Sequence, residues 1–123
     1  MAMFSRRRTS STPLDGVDAV LADLDGVVYA GAGALPWAVE SLSALGERRL
    51  GFITNNASRT DEAVAEHLRE LGLATQASDV VTSPQAATRL LRTRVEPGAT
   101  ILVVGGEGLV VELENAGYAV TRS

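Results

Sequence analysis

Short apolar runs alternating with stretches of helical spacing constrain this chain more than any other feature. VDAVLADL (17–24), LGFIT (50–54), DVVTS (79–83) and ATILVVGG (99–106) are brief and rich in small and β-branched residues, as strands are, and YAVT (118–121) offers a fifth. Between the first two, Gly26, Gly31 and Gly33 mark a flexible loop. Pro36 then suits the first turn of a helix, with Trp37, Leu42 and Leu45 recurring up to Gly46 and Trp37 read as core packing. A second helix fits Thr60 to Leu71: Val64, Leu68 and Leu71 form one stripe, Asp61 and Glu62 favour the positive helix start, and Gly72 stops it. Ser83 and Pro84 read as the N-cap and first residue of a third helix, and GLVVELENAG carries the fourth strand into another. Strands alternating with helices imply right-handed crossovers, and so an α/β fold with a Rossmann-like parallel sheet and helices on both faces.

A length of 123 residues allows one compact unit. The hydrophobic share of 46% against 21% charged residues is globular, and a net charge of −4 argues against a nucleic-acid partner. Arg6, Arg7 and Arg8 form a basic cluster followed by Ser, Thr and Pro rather than by the apolar stretch of a secretory signal, so residues 1–16 are expected to be a disordered leader to a core at 17–123. A cytoplasmic location without membrane contact is expected. The absence of cysteine excludes disulfides and thiolate chemistry. His67, the one imidazole, lies beside the apolar stripe of its helix and is expected to be a partly exposed surface residue. All basic side chains are arginines; there is no lysine.

In a parallel sheet, ligands bind beyond the carboxyl ends of the strands. Asp23 and Asp25 sit at that end of the first strand and, two residues apart, point to one side. A bare DxDG is equally the composition of a solvated turn. The second strand weighs against that reading, because it also ends in polar residues, Thr54, Asn55, Asn56 and Ser58. Toward a phosphate ester, Asp23 can act as nucleophile and Asp25 as general acid and base. The hard oxygen ligands suit Mg²⁺, and backbone N–H groups around Gly26, the Thr54 hydroxyl and the Asn55 N–H can hold phosphoryl oxygens.

DLDGVVYAG, followed by FITNNASR and DVVTS, resembles the haloacid dehalogenase superfamily of phosphotransferases, in particular its NagD-like type IIA phosphatases. VVGGEGL and LENAGY extend the likeness to about Val120. Within it lies a narrower likeness to actinobacterial glycerol 3-phosphate phosphatases. The resemblance implies Mg²⁺-dependent hydrolysis of a small phosphorylated metabolite through an aspartyl-phosphate. Asp23 would be the nucleophile and Asp25 the general acid/base. The metal would be held by the Asp23 carboxylate and the Asp25 backbone carbonyl, and phosphate by Thr54 and the Asn55 amide. Members of this family continue into a cap domain, a lysine motif and an acidic motif. This chain has no lysine and stops at Ser123, about where the cap would begin. It is therefore expected to be the N-terminal half of such a core, weak or inactive alone, with open sheet edges that favour self-association.

Two other functions compete. One is a non-catalytic α/β module that binds metal or phosphate, or only associates. The other is a nucleotide-binding module built on VVGGEG, which lacks the full GxGxxG pattern and reads more simply as a tight strand-to-helix turn. Arg59 is a candidate phosphate contact from the start of a helix, though an ordinary surface arginine is the simpler reading.

Overall fold

A computed structural model describes residues 11–122. The first strand, β1, spans Ala19–Asp23; a hairpin of β2 (Tyr29–Ala30) and β3 (Gly33–Ala34) follows, then helix α1 (Ala38–Ser43). Strand β4 (Arg49–Thr54), helix α2 (Asp61–Glu70), a 3₁₀ turn (Ala77–Asp79), strand β5 (Val80–Thr82) and helix α3 (Ser83–Leu91) make up the middle of the chain. Strand β6 (Thr100–Val103), helix α4 (Glu107–Asn115) and strand β7 (Ala119–Arg122) complete it.

The parallel strands form two ladders. β1, β4 and β5 pair in the order β1-β4-β5, and β6 pairs with β7 separately. Register puts Asp23 beside Ile53 and Ile53 beside Val81, while Thr54 lies beside Thr82. Paired residues of a parallel ladder share a face, so each face has its own composition. Ala22, Phe52 and Val80 pack against Val64, Ala65 and Leu68 of α2 in the main core. Burying Phe52 alone is worth about 1.5–3 kcal/mol. The opposite face carries Asp23 and leaves Leu21 71%, Ile53 44% and Val81 41% exposed. A second core joins Val103, Val110, Leu113 and Tyr118.

Several sequence expectations change. The hairpin replaces the loop expected at Gly31 and Gly33. Trp37 is not in the core: it precedes α1 in a left-handed conformation (φ 66°) and is 77% exposed, while Val39 and Leu42 pack against the core instead. The N-cap of α3 is Thr82 rather than Ser83, because Thr82 Oγ1 accepts from the Gln85 N–H and Gln85 Oε1 accepts from the Thr82 N–H, a reciprocal cap. Ser83, moved into the helix, donates instead to the Asn55 carbonyl at 3.1 Å.

His67 is partly exposed, as expected, but more covered than a surface position. Its side chain is only 13% exposed, and its ring meets that of Tyr29 edge-on at a centroid distance of 4.8 Å. Arg6–Arg8, and with them most of the expected leader, lie outside the described residues. Within the described residues, Asp15 accepts from the Thr12 N–H and hydroxyl, and the Arg48 guanidinium donates to the carbonyls of Leu14 and Val17.

Candidate active site

The carboxyl ends of β1, β4 and β5 open on a cavity of about 370 Å³ lined by Asp23, Ile53, Thr54, Asn55, Thr82 and Ser83. The sheet register produces this grouping, since it aligns the last residues of three adjacent strands. Asp23 is exposed, and its Oδ1 accepts from the Leu24 N–H at 2.7 Å. That bond engages Oδ1, while Oδ2 has no hydrogen-bond partner among the described residues. Thr54 is 6% exposed, and its Oγ1 accepts from the Asn56 N–H at 3.1 Å. A hydroxyl that accepts still has its proton to donate, so Thr54 retains one donor for the cavity.

Asp25 and Gly26 do not line this cavity. They occupy the turn that follows β1, where Leu24 is fully buried and Asp25 is exposed, so both aspartates lie on the exposed side of the alternation. The Leu24 carbonyl accepts from the N–H groups of Val27 and Val28. Gly26 takes a left-handed conformation (φ 80°), and its N–H donates to the Tyr29 carbonyl at 2.8 Å. The Gly26 N–H is thus engaged within the turn, which its left-handed backbone allows.

The loop after β4 is set from two sides. Asn56 Oδ1 accepts from the Ser58 N–H and hydroxyl, which curls residues 56–58. From outside, the start of α4 presses on the loop without side chains: a Cβ at Gly108 would stand 2.5 Å from the Arg59 carbonyl oxygen and 2.8 Å from that of Ala57, and one at Gly106 2.9 Å from Ser58 Cα. The GGEG segment is thus a packing device that braces the loop behind Thr54 and Asn55, as the strand-to-helix reading of VVGGEG expects.

Sequence reasoning missed Tyr29. Its phenol is pushed above the ordinary value of 10.0 chiefly by burial, then by the negative charge of Asp25, with Arg59 opposing and Asp23 adding a little. The residue therefore senses both aspartates from within the core. Its position in VVYAG gave only an apolar strand signal. Because the folded pKa lies above the unfolded one, the neutral phenol's contribution is intact below pH 10.0 and is lost as pH rises toward the folded value. Chemical denaturation should show stability falling above that pH in the parent and a smaller fall in Tyr29→Phe.

The sequence profile of the haloacid dehalogenase-like hydrolases matches residues 20–119, from β1 through the first residue of β7. The chain belongs to this family. Over 105 residues it is 47% identical to the D-glycerol 3-phosphate phosphatase of Mycobacterium tuberculosis, a match spanning 85% of this chain and 30% of that protein. The human glycerol-3-phosphate phosphatase is 42% identical over 115 residues, 86% of this chain and 36% of its own length. The crystal structure of the M. tuberculosis glycerol phosphate phosphatase in complex with magnesium superposes with a TM-score of 0.78 at 44% identity, over 87% of this chain and 32% of that one. NagD from Escherichia coli K-12 gives 0.70 at 31% identity, over 85% of this chain and 42% of its own. The chain thus spans well under half the length of these relatives.

A magnesium ion is present in the M. tuberculosis relative, and the oxygen donors at the end of β1 can be tested for their fit to such an ion. No cluster of three or more Asp, Glu, His or Cys side chains exists among the described residues. Mg²⁺ needs no such cage, since it typically keeps several waters and takes one or two carboxylates plus substrate phosphate. Asp23 and Asp25 supply hard oxygens, both are exposed, and neither is ion-paired among the described residues. The donor chemistry fits.

Proposed function

We propose that this chain carries the nucleophilic half of a phosphomonoester hydrolase. The observation that carries the proposal is the placement of Asp23, fixed through Oδ1, at the mouth of a cavity where Thr54 keeps a free hydroxyl proton. Asp23 Oδ2 attacks phosphorus, the ester P–O bond breaks, and the leaving alkoxide takes a proton from Asp25. Asp25 then accepts a proton from water, which attacks the aspartyl-phosphate, releases inorganic phosphate and restores Asp23. Thr54 donates to a phosphoryl oxygen as charge builds, and the Asn55 N–H is assigned the same task. The Asp23 carboxylate and the Asp25 carbonyl would hold Mg²⁺, which when bound offsets the repulsion between carboxylate and phosphate. The substrate class is a small phosphorylated metabolite, with glycerol phosphate the first to test because two of the relatives are named for it.

Release of p-nitrophenol from p-nitrophenyl phosphate tests this reading. Whatever turnover the chain shows alone, expected to be weak, should require Mg²⁺ and cease on chelation. Asp25→Asn should slow it by about a hundredfold or more, the usual contribution of a positioned general acid. Hydrolysis that survives both changes counts against the assignment.

An association role rests on a separate observation. Among the described residues β1 and β5 each pair on one side only, and Leu21, Ile53 and Val81 expose apolar surface on the same face. Unpaired edges and contiguous apolar patches promote contact between chains. Light scattering should find species larger than one chain, shifting toward monomer in Leu21→Lys; a monodisperse parent monomer contradicts this role.

A further inference from the structure

A second cavity, of about 330 Å³, lies away from Asp23 between the 3₁₀ turn, α3 and the α4 side chain Glu112. Arg89 and Arg92 line it from the end of α3, three residues apart and so on neighbouring positions of one helical face. Both are exposed, and neither forms an ion pair or side-chain hydrogen bond among the described residues. Two guanidinium groups so placed repel each other unless an anion joins them. Thr88, also in the lining, is 2% exposed, and its Oγ1 is a buried polar atom with no hydrogen-bond partner. That hydroxyl is closed off from solvent, so Thr88 forms part of the floor beneath the two arginines.

The acidic residues of the lining are placed differently. Asp61 is engaged, since its Oδ2 accepts from Gln85 Nε2 at 2.9 Å and its Oδ1 from the Glu62 N–H. Glu112 remains, with no ion-pair partner among the described residues, to accept from a donor on the far side of the cavity.

We infer that this cavity binds a small hydroxylated oxyanion. Its phosphate or carboxylate group sits between Arg89 and Arg92, and a ligand hydroxyl donates to Glu112. Guanidinium groups hold oxyanions by paired, charge-assisted hydrogen bonds. The two cavities share Val81 alone among their lining residues.

Titration followed by backbone amide NMR, in the 123-residue chain carrying Asp23→Asn to silence hydrolysis, tests the inference. Inorganic phosphate and malate are the two probes, and they separate a phosphate-bearing from a carboxylate-bearing ligand. Saturable shifts are expected at residues 77–92 and 112 with at least one probe. Arg89→Gln with Arg92→Gln should weaken that binding by about tenfold or more, as loss of charge-assisted bonds does. Shifts confined to residues 23–26 and 54–59, no saturable shift with either probe, or binding unchanged by the double arginine variant would each overturn the inference.

Discussion

Gly108→Ala is expected to destabilise the chain by about 2 kcal/mol or more, within the range for forcing atoms into a packed interior. The new Cβ meets two backbone carbonyl oxygens and a carbonyl carbon, none of which can rotate away. Alanine's better helix propensity, worth up to about 1 kcal/mol, does not offset that. Neighbouring glycines supply the control. At Gly106 the tightest contact is 2.9 Å, to a backbone atom, and a smaller loss is expected; at Gly105 it is 3.3 Å, to the flexible Leu109 side chain, and almost none is expected. Urea denaturation of the three variants should therefore rank them Gly108, Gly106, Gly105. The strained loop in Gly108→Ala is residues 57–59, next to Asn55 and Thr54, so phosphate affinity should fall along with stability. Equal effects at all three positions would remove the bracing role assigned to the GGEG turn.

The same contact marks what the sequence makes readable and what it hides. The apolar runs and their spacing carry the strand and helix order, and Thr60 and Leu71 flank α2 as its pattern predicts, because a strong amphipathic stripe with a cap is a local signal. Partners are not local. Nothing in ATILVVGG says that β6 pairs with β7 and not with the β1-β4-β5 ladder. His67 reads as a surface residue because the Tyr29 ring that covers it comes from another part of the chain. Trp37 reads as core because its size outweighs, in a linear pattern, the left-handed turn that places it outside. Within the site, Asp23 is legible from its position at a strand end, since an acid breaking an apolar run needs a cause. Gly26 is half legible: the turn it makes is evident, whereas the hydrogen bond that occupies its N–H depends on how Tyr29 folds back. Tyr29 itself, which senses both aspartates from inside the core, looks like any other strand residue until the fold is known.

The second large effect concerns Asp23. Replacing it by asparagine keeps the shape and the acceptor for the Leu24 N–H, so the variant should fold as the parent does. The amide lacks the anionic oxygen needed to attack phosphorus, and turnover should fall on the order of a thousandfold or more, as loss of a catalytic nucleophile does. Rates alone confound nucleophile with metal ligand, because Asp23 is assigned both tasks. A covalent readout separates them, and it remains informative at low turnover because it needs only one event per molecule. The chain is mixed with Mg²⁺ and a small phosphomonoester, quenched in acid, digested and analysed by mass spectrometry for a phosphoryl group. The account predicts that group on the peptide carrying Asp23, labile to hydroxylamine as an acyl phosphate is, and absent from Asp23→Asn. A phosphoryl group on any other residue, none at all in the parent, or turnover undiminished in Asp23→Asn would contradict it.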